Sequence, residues 1–376
     1  MTLTSQMHFL YIAINNLRSV NPRRFKNTEP DDVYLSHAMK WLVRAAKVKK
    51  NKGVSHSYAF LRGWRGSYPE TVGYIIPTFF KYSKFKEDRT YSILANHLSD
   101  WLIDVQMENG ATMGGIYNKK PVPIVFNTGQ NIFGFLSSYK ETNNKKYLDA
   151  AKRSGNFLVK SFDGDTWITH AYRRTPHSYN TRTSWGLLKL WKETAHNSFL
   201  NTAKLHLDWV CNNTHDNGFF KNCRFDEKST PNTHLIAYTI RGLLESYLIL
   251  NEKRYLSHSE KISRIFANLF LEKETLVSNW DSKYNPKSDF VCLTGLAQLS
   301  IIWFKLNQIT KDALFLEAAS KALEFVKFSV SLNKKYADVC GAVPGSFPIT
   351  GKYASMQYPN WATKFFADAL MLKDSI

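Results

Sequence analysis

Acidic residues are in short supply in this chain. Asp and Glu number 31 against 50 Lys and Arg, a net charge of +19. An imbalance of that size favours an anionic partner, which leaves nucleic acid, a membrane surface or an acidic polysaccharide. Cysteine is scarce as well. Cys211, Cys223, Cys292 and Cys340 are scattered and do not form the framework of a disulfide scaffold. No run of about 18 apolar residues occurs, which excludes a transmembrane helix. The N-terminal residues lack the basic start, apolar stretch and small-residue cleavage site of a signal peptide, so a cytoplasmic location is expected. No Pro/Gly/Ser-rich linker divides the chain. One domain over residues 1–376 is expected, with residues 1–30 as an N-terminal extension.

Other absences narrow the chemistry. Zinc-finger spacing, an RNP-like aromatic motif and a basic leucine-zipper pattern are all missing, so nucleic acid is not expected as a partner. There is no phosphate-binding Gly-x-x-x-x-Gly-Lys-[Ser/Thr] loop. Asp163-Gly-Asp165-Thr166 stops short of the Asp-x-Asp-Asp acid motif of a class II terpene cyclase. Asp338-Val-Cys340 matches half of a prenyltransferase zinc site, but no His follows it. Neither a metal nor an organic cofactor is expected.

What is present begins with aromatics, at 14%: 10 Trp, 19 Tyr and 25 Phe. Most should fill a core, and some suit a sugar-binding cleft. The strongest signal is an internal repeat with a period of roughly 50–70 residues. Apolar segments open on Glu70-Thr, Asn127-Thr, Asn180-Thr, Asn232-Thr, Leu293-Thr and Asn360-Trp-Ala-Thr, which places a threonine at 71, 128, 181, 233, 294 and 363. Amphipathic helices alternate with them over 31–48, 89–107, 145–161, 198–212, 254–271 and 312–332. The first set is apolar on most sides, as in Ile132-Phe133-Gly134-Phe135-Leu136, and should be buried. The fold class is therefore all-α: about six helical hairpins in a ring, with an inner and an outer layer.

Turns from inner to outer helices are short, as at Glu141–Lys145. The return loops are long, and long ordered loops carry function. They should all emerge on the face that receives the inner-helix N-termini. Each N-terminus offers free N–H groups and about half a positive charge, so six of them attract an anion before any side chain is counted.

The polar constellations lie near that face. His234, Tyr238 and Arg241 stand at i, i+4 and i+7 on one side of an apolar helix. The densest polar run is His170–Arg182. It supplies Arg173 and Arg174 as a fork for an anion, His177 and Tyr179 for proton exchange, Asn180 in an N-cap position, and Arg182. Glu70 opens the first inner helix, where a cap and a general acid are both open readings. Tyr358, Asn360 and Trp361 hold the matching place in the last repeat, and Asn127 does so in the second.

From about residue 31 onward the chain resembles the (α/α)6 toroids. These include terpenoid cyclases, prenyltransferase β subunits, many polysaccharide lyases and glycoside hydrolases, and the helical domain of glucuronyl C5-epimerases. Phe126–Leu136, His177–Leu188, Thr233–Glu245 and Tyr358–Leu370 carry a narrower likeness. It is to a bacterial group similar to proteins of exopolysaccharide and O-antigen assembly clusters. The resemblance implies a carbohydrate-active enzyme whose partner is an anionic, uronate-containing poly- or oligosaccharide. The expected reaction is proton abstraction at C5, leading to β-elimination or epimerisation. His234, Tyr238, His177, Tyr179 and Glu70 are the catalytic candidates. Arg173, Arg174, Arg182, Arg241, Asn127, Asn180, Tyr358, Asn360 and Trp361 are the binding candidates. Two alternatives stay open: an inverting glycoside hydrolase pairing Glu70 with a loop Asp such as Asp281 or Asp289, and a non-catalytic polysaccharide-binding protein. The oligomeric state is open.

Overall fold

The computed structural model describes residues 29–118 and 120–376. Most of the expected extension over 1–30 lies outside the described residues. Among the described residues six outer helices alternate with six inner ones. The outer set is α1 (Asp31–Lys47), α3 (Arg89–Asp104), α5 (Lys145–Lys160), α7 (Asn197–Asn212), α9 (Lys253–Lys273) and α11 (Ala313–Phe328). The inner set is α2 (Pro69–Lys86), α4 (Val125–Thr142), α6 (Thr181–Thr194), α8 (Thr233–Leu250), α10 (Leu293–Thr310) and α12 (Asn360–Lys373). Each inner helix packs on the next, and α12 packs back on α2, so the inner ring is closed. The chain folds as an (α/α)6 toroid. Among the described residues no helix is long and apolar enough to cross a membrane.

The connections follow a common local rule. Each of α2, α4, α6, α8 and α10 ends on a left-handed residue: Glu87, Asn143, Ala195, Asn251 and Lys311. The next residue starts the outer helix. Asp88, Asn144, Glu252 and Asp312 each accept a backbone N–H two residues on, from Thr90, Lys146, Arg254 and Leu314. A reversal and a cap thus fit into two residues.

Two of the repeated threonines tie a long loop to an inner helix, and a third joins two inner helices. Thr128 Oγ1 accepts the Thr112 N–H at 2.9 Å, and Thr363 Oγ1 accepts the Val343 N–H at 3.0 Å. Thr71 Oγ1 accepts from the Asn360 amide at 2.8 Å. Among the described residues five short strands, of two or three residues each, were not expected. β1 (Ser57–Ala59) pairs antiparallel with β2 (Gly63–Trp64) and with the later β5 (Gln357–Pro359), placing Ser57 opposite Pro359. β3 (Val291–Cys292) pairs with β4 (Ser346–Phe347). Strands this short show no alternation in a sequence. Their role is topological, because β1–β5 joins the first long loop to the last and closes the loop face as well as the helix ring.

Candidate active site

The loop face opens into a cleft of about 610 Å³. Inner-helix N-termini supply its floor. Tyr68 immediately precedes α2, Pro69 occupies the first turn, and Glu70 follows. Asn127 comes from the first turn of α4, His234 and Tyr238 from α8, and Trp361 from α12. The loops add His56, Tyr172, Phe225, Tyr353 and Gln357. Aromatic rings form the walls. Phe126 lies 5.1 Å from Tyr238 and 5.2 Å from Tyr179 between ring centroids. Trp361 lies 4.7 Å from His56 and donates its indole N–H to the Tyr353 hydroxyl at 2.9 Å.

Glu70 is the carboxyl that lines this cleft among the described residues. It accepts a hydrogen bond from the Tyr68 hydroxyl at 2.7 Å. Burial raises its pKa to about 7, against the opposing pulls of Tyr68 and Arg182. The Tyr68, Tyr74 and Tyr238 phenols are pushed upward, chiefly by burial, so all three are protonated donors near neutral pH. The Tyr238 hydroxyl makes a long contact of 3.5 Å to that of Tyr74.

The His234 ring lies 4.2 Å from that of Tyr238, tilted by 53°. Burial first, and the Arg182 charge second, lower its pKa to about 3, so the imidazole is neutral. Gln298 Nε2 lies 2.8 Å from its Nδ1 and also donates to the Thr294 carbonyl. In that network Nδ1 accepts, and the ring proton sits on Nε2.

Arg182 lies beneath the floor, 3% exposed. Its guanidinium is 4.8 Å from the Tyr238 ring, and Nε donates to Gln130 at 2.9 Å. Among the described residues it has no carboxylate ion pair. A buried positive charge without a carboxylate partner therefore stands behind Tyr238.

The structure separates the sequence candidates. Glu70, Asn127, Tyr179, His234, Tyr238 and Trp361 line the cleft together. Arg241 does not. Seven residues along α8 carry it about 10 Å deeper than His234, and it pairs with Glu245 at 2.7 Å towards the other end of the ring. Arg173 and Arg174 are exposed residues with left-handed φ near 55°, absent from the cleft lining. His177 is buried against Tyr179 at 4.5 Å and holds the Tyr172 carbonyl at 2.7 Å, so it positions two lining residues without lining the cleft itself. The Asn180 side chain caps nothing. Tyr358 is buried in β5. Asn360 donates to Ser55 O and Thr71 Oγ1, a bond between the ends of the ring. Asp281 is spent on its own turn, accepting from Lys283 and Asn285, and Asp289 does not line the cleft. His56, Tyr353 and Gln357 gave no sequence signal, because they converge only through the loop pairing of β1 with β5.

Among the described residues no group of three or more His, Cys, Asp or Glu side chains is placed to hold a metal ion. No curated protein matches the chain. Solved structures that share its fold include an unsaturated glucuronyl hydrolase specific for heparin (14% identity, TM-score 0.72, covering 92% of this chain and 98% of that one). Another is the unsaturated glucuronyl hydrolase of Bacillus sp. GL1 (12%, TM-score 0.71, 91% and 96%). A third is the cellobiose 2-epimerase of Bacillus thermoamylovorans B4167 (13%, TM-score 0.71, 91% and 97%). The sequence profile described as the ulvan lyase N-terminal domain matches residues 82–294, more than half of the chain. The chain belongs to the ulvan lyase N-terminal domain family.

Proposed function

We propose that the cleft is the active site of an enzyme acting on a uronate-containing poly- or oligosaccharide, and that the reaction begins with removal of the C5 proton. The observation that carries this reading is Glu70: among the described residues the one carboxyl in the cleft lining, with a pKa of about 7, set among phenols and neutral imidazoles. Hydrolysis with inversion needs two carboxyl groups facing each other across the sugar. C5 chemistry needs one base, one acid and donors for the carboxylate. The family membership and the glucuronyl hydrolase neighbours support uronate as the substrate class.

In this mechanism Glu70 takes the C5 proton, its pKa matched to neutral pH. Charge then develops on the uronate carboxylate oxygens. The His234 Nε2–H and the Asn127 amide are the donors proposed to hold it, with the inner-helix N-termini behind them. The neutral donors take over the part expected of Arg173, Arg174 and Arg241. The Arg182 charge behind Tyr238 favours anionic character in the cleft without touching the sugar. Tyr238 gives a proton, either to the departing oxygen at C4 or to the opposite face of C5. The first outcome is β-elimination and the second is epimerisation.

Incubation with a panel of uronate polysaccharides tests the proposal. The expected products are unsaturated uronate ends, seen by ultraviolet absorbance, or inverted uronates, seen by NMR. Tyr238→Phe and His234→Ala should each slow turnover by about 10²–10⁴-fold with the fold intact. Near-normal rates in both variants contradict the assignment.

A further inference from the structure

The end of the ring opposite the cleft holds a second cavity, of about 310 Å³. Six cations line it: Lys81, Arg182, Lys189, Arg241, Lys305 and Lys364. Two carboxylates answer three of them. Glu245 pairs with Arg241 at 2.7 Å and with Lys305 at 2.9 Å, and Asp368 pairs with Lys364 at 2.6 Å. Among the described residues Lys81, Lys189 and Arg182 have no carboxylate partner. The C-terminal dipoles of the inner helices do not account for this cluster. Arg182 and Lys364 belong to the first two turns of α6 and α12, and Arg241 to the middle of α8. Trp185 forms one wall, with Arg241 5.5 Å and Lys189 5.8 Å from its ring.

We infer that this rear cavity is a binding site for a tetrahedral oxyanion, phosphate or sulfate, free or as an ester. The volume lies at the small end of ligand pockets. Surplus charge of one sign in a partly buried cavity is relieved by a multivalent anion, and Lys and Arg together give such an anion both point-charge and forked contacts. Burial and neighbouring cations hold Lys364 down at about 8 and lower Lys189 and Lys305. A bound anion reverses that shift, so the cavity gains protons on binding. Tyr74 lines both cavities and Arg182 stands between them, but the inference does not rest on the reaction proposed for the mouth.

Calorimetric titration of the full chain with sodium phosphate, sodium sulfate and glycerol phosphate tests it, with sodium chloride at equal ionic strength as reference. A single saturable site for the tetrahedral anions and none for chloride is expected. Tighter binding of glycerol phosphate marks the ligand as an ester, and equal binding marks it as the free anion. Lys81 is exposed and Lys189 partly so, hence Lys81→Gln/Lys189→Gln should fold and bind about tenfold or more weakly. Glu70→Gln should bind as the wild type does. No saturable binding, or unchanged affinity in the double lysine variant, overturns the inference.

Discussion

Burial gives the Glu70 carboxyl its chemistry and also makes it a burden on the fold. The group titrates at about 7 in the folded chain against an ordinary value of 4.5. The folded state therefore holds this proton more tightly than the unfolded state does. Its contribution to stability is present below about pH 4.5 and is lost as pH rises to about 7. The difference is on the order of 3 kcal/mol. Glu70→Gln, which cannot ionise, should melt a few degrees above the wild type at pH 8 and show no such advantage at pH 4.5. The same titration should appear in catalysis, with kcat/KM rising through about pH 7 as the base ionises. In the sequence, Pro69-Glu70-Thr71 reads equally well as an ordinary helix start. What distinguishes it is the Tyr68 hydroxyl at 2.7 Å and the depth of the cleft, both set by tertiary packing.

At the level of helices, the ring closes because one inner helix passes close to the next. A Cβ built on Gly242 of α8 would lie 2.4 Å from the Thr181 carbonyl carbon of α6. Gly242→Ala should therefore destabilise the chain by about 1–3 kcal/mol, measured by denaturant unfolding. The helices themselves were largely legible from periodicity, and the errors have a physical pattern. Expected spans overran at 105–107 and 329–332 because Val105, Met107, Val330 and Leu332 still pack on the core after the helix has ended. Arg241 misled for a related reason. Residues at i and i+7 share an angular face, but in a toroid the depth along the axis decides which end of the ring a side chain serves. The pairing of β1 with β5 left no trace in the sequence, because it joins segments 300 residues apart through strands of three residues each.

At the scale of the whole ring, the helices and the loop face bury several histidines in neutral form. Burial lowers His206 and His234 to about 3 and His56 to about 4, from 6.5. A depressed histidine stabilises the fold above about pH 6.5 and loses that contribution as pH falls towards its folded value. Each is worth about 1.4 kcal/mol per pH unit over that range. Melting temperature should fall steeply between pH 6.5 and 4, and His206→Gln should shallow that slope. The ring, its loop face and the polar segments at the inner N-termini were readable from one sequence, because each repeat states them again. Which residues meet in the cleft was not, since the loops that deliver them differ in every repeat. The most direct test of C5 chemistry by Glu70 is to follow a uronate polysaccharide in deuterated water with wild type and Glu70→Gln. Wild type should give unsaturated ends or deuterium at C5, and Glu70→Gln should give neither at a comparable rate. New reducing ends without unsaturation or deuterium, or an undiminished rate in Glu70→Gln, would contradict it.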